Sequence, residues 1–437
     1  MEMEISATEV HDSKTRLALL KNEKGRLGRL VAEARKSESV SDELMASMKA
    51  VSAEIKALQK TAKEQHPGSP LSRKWAPKHL LSPVAIASER VEGSVVIKNC
   101  LGSLQTEADA YVAGHPAGSL WHRPIISTFV ETTFKHPTRY LGAITESGEF
   151  VGILPLVQLN SRLFGNFMVS MPYFNYGGIL AENAKIAGEL IKAADSWRQQ
   201  EAGKHIELRS TQGTSLGLPR RANKVTFWLP LPSNVDDLWG SFKPKLRSQI
   251  RRGERAVTEF CVGGRELLKD FYKVFSTNMR DLGTPVYGRD FFENLLQSLP
   301  GQAWIVIVRI DGRAVGGAFL TGYRGRMEIP WASTLRRYGH TSINMSMYWR
   351  ILEFAIQQGF KVFDFGRCTE QAGTYRFKRQ WGAQEITLNW EYVLAEGESL
   401  PALNPDNPKF RLLIAAWRRL PVWLANLLGP RIVRMLP

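Results

Sequence analysis

The chain has 437 residues and a formal charge of +16, from 58 Lys and Arg against 42 Asp and Glu. That length exceeds one ordinary core, so two domains with extensions are expected, and 43% hydrophobic residues exclude a disordered chain. The basic excess points to anionic partners as a class, whether nucleic acid, lipid headgroups or phosphate-bearing small molecules, without choosing among them. The three cysteines, Cys100, Cys261 and Cys368, are far apart and odd in number. They argue against a disulfide framework or a cysteine zinc site and for a reducing, cytoplasmic setting. The Met-Glu-Met-Glu start lacks the order of a signal peptide. The most apolar stretch, residues 412–429, is interrupted by Arg418, Arg419 and Pro421 and is not expected to span a bilayer.

In chain order, residues 13–62 read as a helical coiled-coil hairpin. Leu17, Leu20, Lys24, Leu27, Val31 and Ala34 alternate spacings of three and four, as do Leu44, Met48, Val51, Ile55 and Leu58. The break at 37–41 carries an N-cap in Ser41 with Asp42 and Glu43 in the first turn. A dimerisation or docking arm and a nucleic-acid arm both fit, the latter through the basic first helix. Residues 63–94 form a linker, with His66-Pro-Gly-Ser-Pro as its flexible part.

From 95 to 398 one order of elements occurs twice, in a first unit at 95–230 and a second at 231–398. The first pass has a strand at 140–145, a Ser147-Gly148 turn, strands at 150–157 and 167–172, a helix over about 182–200, and His205-Ile-Glu-Leu-Arg209. The second has a strand at 304–310, an Asp311-Gly312 turn, strands at 314–320 and 326–332, a helix over about 344–358, and the strand at 362–367. The dipeptides are hairpin signals, and the helix-to-strand steps imply mixed sheets. Hairpin, strand, helix, strand is the core order of the GNAT acetyltransferase fold, so the expected class is α/β (α+β) with two tandem GNAT-like domains. Residues 399–437 complete the chain as a basic amphipathic segment. Arg411, Arg418, Arg419, Arg431 and Arg434 lie among Leu, Ile, Trp and Val, with no acidic residue from Lys409 onward. Lying on an anionic membrane and docking on the domain surface both fit this pattern.

Three separated runs carry a family resemblance: Asn278-Met-Arg-Asp-Leu-Gly-Thr-Pro-Val-Tyr287, Phe363-Asp-Phe-Gly-Arg-Cys-Thr369 leading into Gly373–Ala383, and Pro172-Tyr-Phe-Asn-Tyr-Gly-Gly178. Together they resemble the FemAB group of acyl and aminoacyl transferases, in the branch associated with PEP-CTERM/exosortase systems. The resemblance implies twin GNAT-like domains that transfer an aminoacyl or acyl group to an amine. It implies no tightly bound cofactor, with aminoacyl-tRNA or acyl-CoA as co-substrate. The acceptor would be a cell-envelope, peptidoglycan or exopolysaccharide precursor. Some members carry a coiled-coil arm within a domain; here the comparable hairpin is N-terminal.

Acyl transfer to an amine needs an activated ester or thioester, an aligned neutral amine and stabilisation of the tetrahedral oxyanion. Lys378, with Phe377, matches the Phe-Lys pair that in the family lies near the reacting carbonyl. The bland alternative makes Arg376, Lys378 and Arg379 a solvated basic face. Asp364 and Arg367 flank the end of a central strand, where open α/β sheets place ligands. A phosphate contact for Arg367 and an amine or positioning contact for Asp364 stand beside an internal ion pair. Arg336 and Gly339, in Arg336-Arg-Tyr-Gly-His, sit between a strand and a helix, where backbone N–H groups cradle phosphates. With Arg367 and Arg376 they form the donor set. Arg280, Asp281 and Tyr287 lie at a helix end closed by Gly283 and Pro285 and in the loop beyond, as an acceptor loop or as capping and packing. Tyr176, beside Gly177-Gly178, lines a cleft or packs a core.

Gly213-Thr-Ser-Leu-Gly217 fits G-x-S-x-G formally but leads into Leu218-Pro219 rather than a helix, so a turn is expected. The eight histidines lack metal-site spacing and no metal is expected. The sequence reads as an N-acyltransferase, cytoplasmic or peripheral at the inner membrane face. The competing class is a non-catalytic tRNA-binding or scaffold protein on the same fold.

Overall fold

The computed structural model describes residues 42–65 and 75–437, except 83, 92, 163, 212, 215, 371–372, 402–407 and 437, together with a few positions between 20 and 34. It divides into two compact units, residues 1–69 and 70–437. In the first, helix α1 (Asp42–Gln65) opens with Asp42 and Glu43 against its N-terminal dipole. Most of the first helix of the expected hairpin, its 37–41 break and the 66–70 linker lie outside the described residues.

The second unit begins with the short α2 (Lys78–Leu81), then β1 (Val95–Asn99), α3 (Gln105–Gly114), α4 (Pro124–Phe134), β2 (Thr138–Thr145), β3 (Phe150–Ser161), β4 (Gly165–Val169), β5 (Leu180–Ala181), α5 (Ala184–Gln200), β6 (His205–Ser210) and β7 (Arg220–Pro230). It continues with α6 (Val235–Ser241), α7 (Pro244–Ala256), β8 (Glu259–Gly263), α8 (Leu268–Leu282), α9 (Arg289–Ser298), β9 (Ala303–Ile310), β10 (Arg313–Tyr323) and β11 (Arg326–Thr334). A 3-10 turn at Arg336–Thr341 leads into α10 (Ile343–Gln357), β12 (Val362–Asp364), β13 (Cys368–Thr369), α11 (Gly373–Arg379), β14 (Gln384–Leu394), α12 (Pro408–Trp417) and α13 (Val422–Val433). Hairpin, strand, helix, strand thus occurs at β2-β3-β4-α5-β6 and again at β9-β10-β11-α10-β12. The second hairpin closes on Asp311 and Gly312, with φ of 48° and 73°. Two consecutive positive φ values are what a type I′ turn demands and what Asp-Gly accommodates.

All strands join one 14-stranded mixed sheet, with main path β1-β2-β3-β4-β6-β14-β7-β12-β11-β10-β9-β8. The two repeats exchange strands: β14, from the end of the second, lies between β6 and β7 of the first, and β7 pairs onward with β12. Among the described strands, β4–β6 and β11–β12 pair in parallel and the others antiparallel. Both parallel pairings are brief. The second spans Arg326↔Val362 to Glu328↔Asp364, although β11 runs on to Thr334, so the strands part beyond Glu328. The Gly213–Gly217 segment leads into β7 and not into a helix, which removes the nucleophile-elbow geometry.

One core holds aromatic residues of both repeats. Phe129 and Phe134 of α4 meet Phe291 of α9 at ring distances of 5.3 and 5.7 Å, and Phe271 and Phe275 of α8 join them. On the other face, α7 and α10 cover Val306, Val308, Phe227 and Phe363. This double burial keeps charged side chains at the sheet centre largely away from bulk solvent.

Candidate active site

Strand alternation puts Arg326 and Glu328 of β11 on the face that Asp364 of β12 and Thr226 and Trp228 of β7 share. Glu328 is 6% exposed and accepts from Trp121 Nε1 (2.7 Å) and Asn175 Nδ2 (2.5 Å). Burial outweighs these bonds and the charges of Arg326 and Lys378, pushing its pKa up to about 7. Asp364, fully buried, accepts from Thr226 Oγ1 (2.7 Å), Gly366 N (2.8 Å) and Trp228 Nε1 (2.8 Å). Its pKa too is raised by burial to about 7. Those donors replace the ion pair with Arg367 considered from the sequence, and they fix the turn that follows β12.

That turn passes through Gly366, at φ 72°. A Cβ there would lie 3.2 Å from Ile329 O, 3.3 Å from Asn175 Nδ2 and 3.9 Å from Lys378 Nζ. The positive φ favours glycine here, and the close approach of Ile329 O and Asn175 Nδ2 leaves little room for a Cβ. Lys378, from α11, is 7% exposed, so it is not part of a solvated basic face. Its ammonium donates to the carbonyls of Gly366 (2.6 Å) and Arg367 (3.1 Å), and burial lowers its pKa to about 8 despite the neighbouring Asp364 and Glu328. A lysine ammonium has three N–H donors, so one remains beyond these two bonds.

A second charged group adjoins the first. Arg209 of β6, 1% exposed, pairs with Glu207 at 2.7 Å, and its guanidinium carbon stands 4.5 Å from the centre of the Trp390 ring. The Arg367 guanidinium meets the same ring at 4.8 Å. Burial and the charge of Arg209 lower the Arg367 pKa to about 10, and its Nη1 is buried without a protein acceptor. Two guanidiniums against one carboxylate leave a local excess of one positive charge, suited to a carboxylate or phosphate oxygen. Tyr287 feels both cations, while burial raises its pKa to about 12. Its ring stacks on Phe291 (4.4 Å) and meets Tyr173 edge-on (6.2 Å). The loop containing Asn175 holds Met171 and Tyr173 at φ of 59° and 74°, a conformation L residues adopt at a cost.

Tyr176, its hydroxyl buried without a protein partner, stands over Trp228 and lines a small cavity with Trp121, Arg326 and Glu328. The cavity measures about 40 Å³, enough for a water molecule and too small for an acyl chain. Lys378, Asp364, Arg367, Tyr287 and Tyr176 are thus gathered at the sheet centre.

The other expected residues lie elsewhere. Arg336 and Asp281 line a cleft of about 650 Å³ with Lys273, Arg309, Arg313 and Arg337. Gly339 is exposed on the adjoining 3-10 turn. Arg280 donates to Asp281 Oδ1 (2.8 Å) and to the Leu420 carbonyl (2.7 Å), so it holds the C-terminal segment. Arg376 is exposed, and Phe377 packs against Tyr348 and Trp381 on the opposite face. Glu328, Asn175, Trp121, Arg209 and Trp390 were not singled out from sequence. The available signal was charge at alternate positions of short apolar strands, Glu207 with Arg209 and Arg326 with Glu328.

Residues 240–379 match the acetyltransferase (GNAT) domain family. Among solved structures, FemX is similar at 17% identity and a TM-score of 0.53, over 65% of this chain and 95% of that one. L-PGS from Bacillus licheniformis aligns at 14% identity and 0.46, over 72% and 97%. Saccharomyces cerevisiae N-myristoyltransferase with bound myristoyl-CoA aligns at 11% and 0.44, over 73% and 83%. No protein of curated function matches the sequence. The domain match covers α7 to α11, including Glu328, Asp364 and Lys378. The chain thus carries a region similar to the GNAT acetyltransferase domain at residues 240–379, within a fold that it shares with FemX.

Proposed function

We propose that the protein forms an amide, moving an acyl or aminoacyl group from an activated donor to an amine of a cell-envelope or exopolysaccharide precursor. The observation that carries this reading is the buried Lys378 ammonium beside Glu328, at the point where β11 and β12 part. With a pKa near 7, Glu328 accepts the proton that the attacking amine loses. The remaining Lys378 N–H faces the carbonyl oxygen as negative charge develops on it. The tetrahedral intermediate then expels the donor's alkoxide or thiolate, which takes up the proton held by Glu328 and restores the carboxylate. Asp364 is a positioning residue, since its oxygens hold Gly366 and Trp228 rather than substrate.

Arg367 and Arg209 take an anionic group of one substrate. The donor's phosphates lie along the basic cleft of Arg336 and Arg337, with Gly339 on the 3-10 turn that begins at Arg336. Both aminoacyl-tRNA and acyl-CoA meet that chemistry. The test incubates the protein with labelled aminoacyl-tRNA and acyl-CoA pools separately, each with precursor extract, and identifies new amides by mass. A product from one pool names the donor. Salt-sensitive tRNA binding with no product from either pool favours the non-catalytic binding protein instead.

A further inference from the structure

Helices α12 and α13 have one fastened face and one free face. Arg418 donates to the Leu282 carbonyl (3.3 Å), and Arg280 to the Leu420 carbonyl (2.7 Å). Along α13, Ala425, Gly429 and Val433 recur every four residues and are buried. Gly429 lies so close to Val286 that a Cβ would stand 2.8 Å from its backbone N and O. At the far end the Arg434 carbonyl accepts from Tyr173 Oη (2.8 Å) and contacts His136 Nε2 (2.9 Å). The segment thereby clasps the 284–288 loop, which presents Tyr287 to the buried arginines.

The free face is of another character. Leu413 (65% exposed), Trp423 (68%) and Leu427 (56%) point outward, near the exposed Leu282. Arg418, Arg419 and Arg431 are exposed around them, and the sequence has no Asp or Glu from Lys409 to the end. Apolar side chains rimmed only by cations complement a bilayer surface bearing anionic lipids: the indole and leucines enter the interface and the guanidiniums meet the headgroups. No helix among the described residues is long and apolar enough to cross a membrane.

We propose that α12–α13 docks the protein on an anionic membrane surface through Leu413, Trp423 and Leu427, with Arg419 and Arg431 at the headgroups. Since the opposite face holds the Tyr287 loop, docking sets the reaction site beside the bilayer, where a lipid-linked precursor would be met. This last consequence rests on the transfer reading; the docking itself does not.

The test is co-sedimentation of the full chain with vesicles of phosphatidylcholine alone and with phosphatidylglycerol added. Binding is expected only to the anionic vesicles. It should fall about tenfold or more in W423S/L427S. R419Q/R431Q should lose binding and its salt dependence together. Unchanged thermal midpoints establish that the variants fold. Equal binding by wild type and W423S/L427S, or no binding to anionic vesicles, overturns the proposal. So does a wild-type dimer in solution that W423S/L427S dissociates, because the free face would then belong to a second copy. Vesicle binding without amide formation leaves docking standing and removes only the transfer reading.

Discussion

Glu328 and Asp364 face each other across a parallel strand pair, and burial raises both pKa values to about 7 from ordinary values of 4.5 and 3.8. Between those limits the folded chain holds protons that the unfolded chain has released. Stability therefore falls as pH rises from about 4.5 to about 7, and the thermal midpoint should drop across that window. Glu328→Gln should flatten the drop. The rate of amide formation follows the opposite sign for the base: it should rise through about pH 7 as Glu328 ionises, then fall above about 8 as Lys378 loses its proton. The pH–rate profile of Glu328→Gln should lose the rising limb, and that of Lys378→Met the falling one. Lys378 and Asp364 were legible in sequence because they sit in runs of distinctive composition. Glu328 was not: one glutamate in an apolar strand looks like a solvent-facing position until its neighbours show both faces of the sheet covered.

At the scale of elements, local chemistry reached far. Asp311-Gly312 forms the hairpin it signals, and α8 ends where Gly283 (φ 80°) lets the Thr284 N–H bond back to Met279 O (3.0 Å). What stayed hidden is pairing. The pattern of residues 384–394 marks a strand, but nothing in it names β6 and β7 as its neighbours, because partner choice is settled by long-range packing. Gly366→Ala should cost about 1–2 kcal/mol from its left-handed backbone alone. Its crowding of Asn175, which donates to Glu328, should also slow transfer, measured as single-turnover rate beside the denaturant midpoint. Gly429→Val should lower stability by about 1–3 kcal/mol by forcing α13 off Val286, a change read in the same midpoint.

For the whole molecule, a division into repeats at 95–230 and 231–398 remains our proposal, and the exchanged strands give it a consequence. A chain ending at 230 lacks β14, and one beginning at 231 lacks its partners β6 and β7, so each exposes unpaired strand edges. Separately expressed halves should be unfolded or aggregated by circular dichroism and light scattering, and residues 70–437 should unfold in one transition. Part of the excess of positive charge, visible at once in composition, lies at the Arg209–Arg367 pair, in the Arg336 cleft and on the free face of α12–α13. Composition could give its sign; only the fold could show where these cations gather.

The most direct test of the central claim is single-turnover amide formation, followed by mass with each labelled donor pool, in wild type and in Lys378→Ala of verified fold. Wild type should yield a new amide from one pool, and the variant should be slower by about 10²–10³. Product from wild type at a rate that Lys378→Ala matches would contradict the assignment of the reaction to this site.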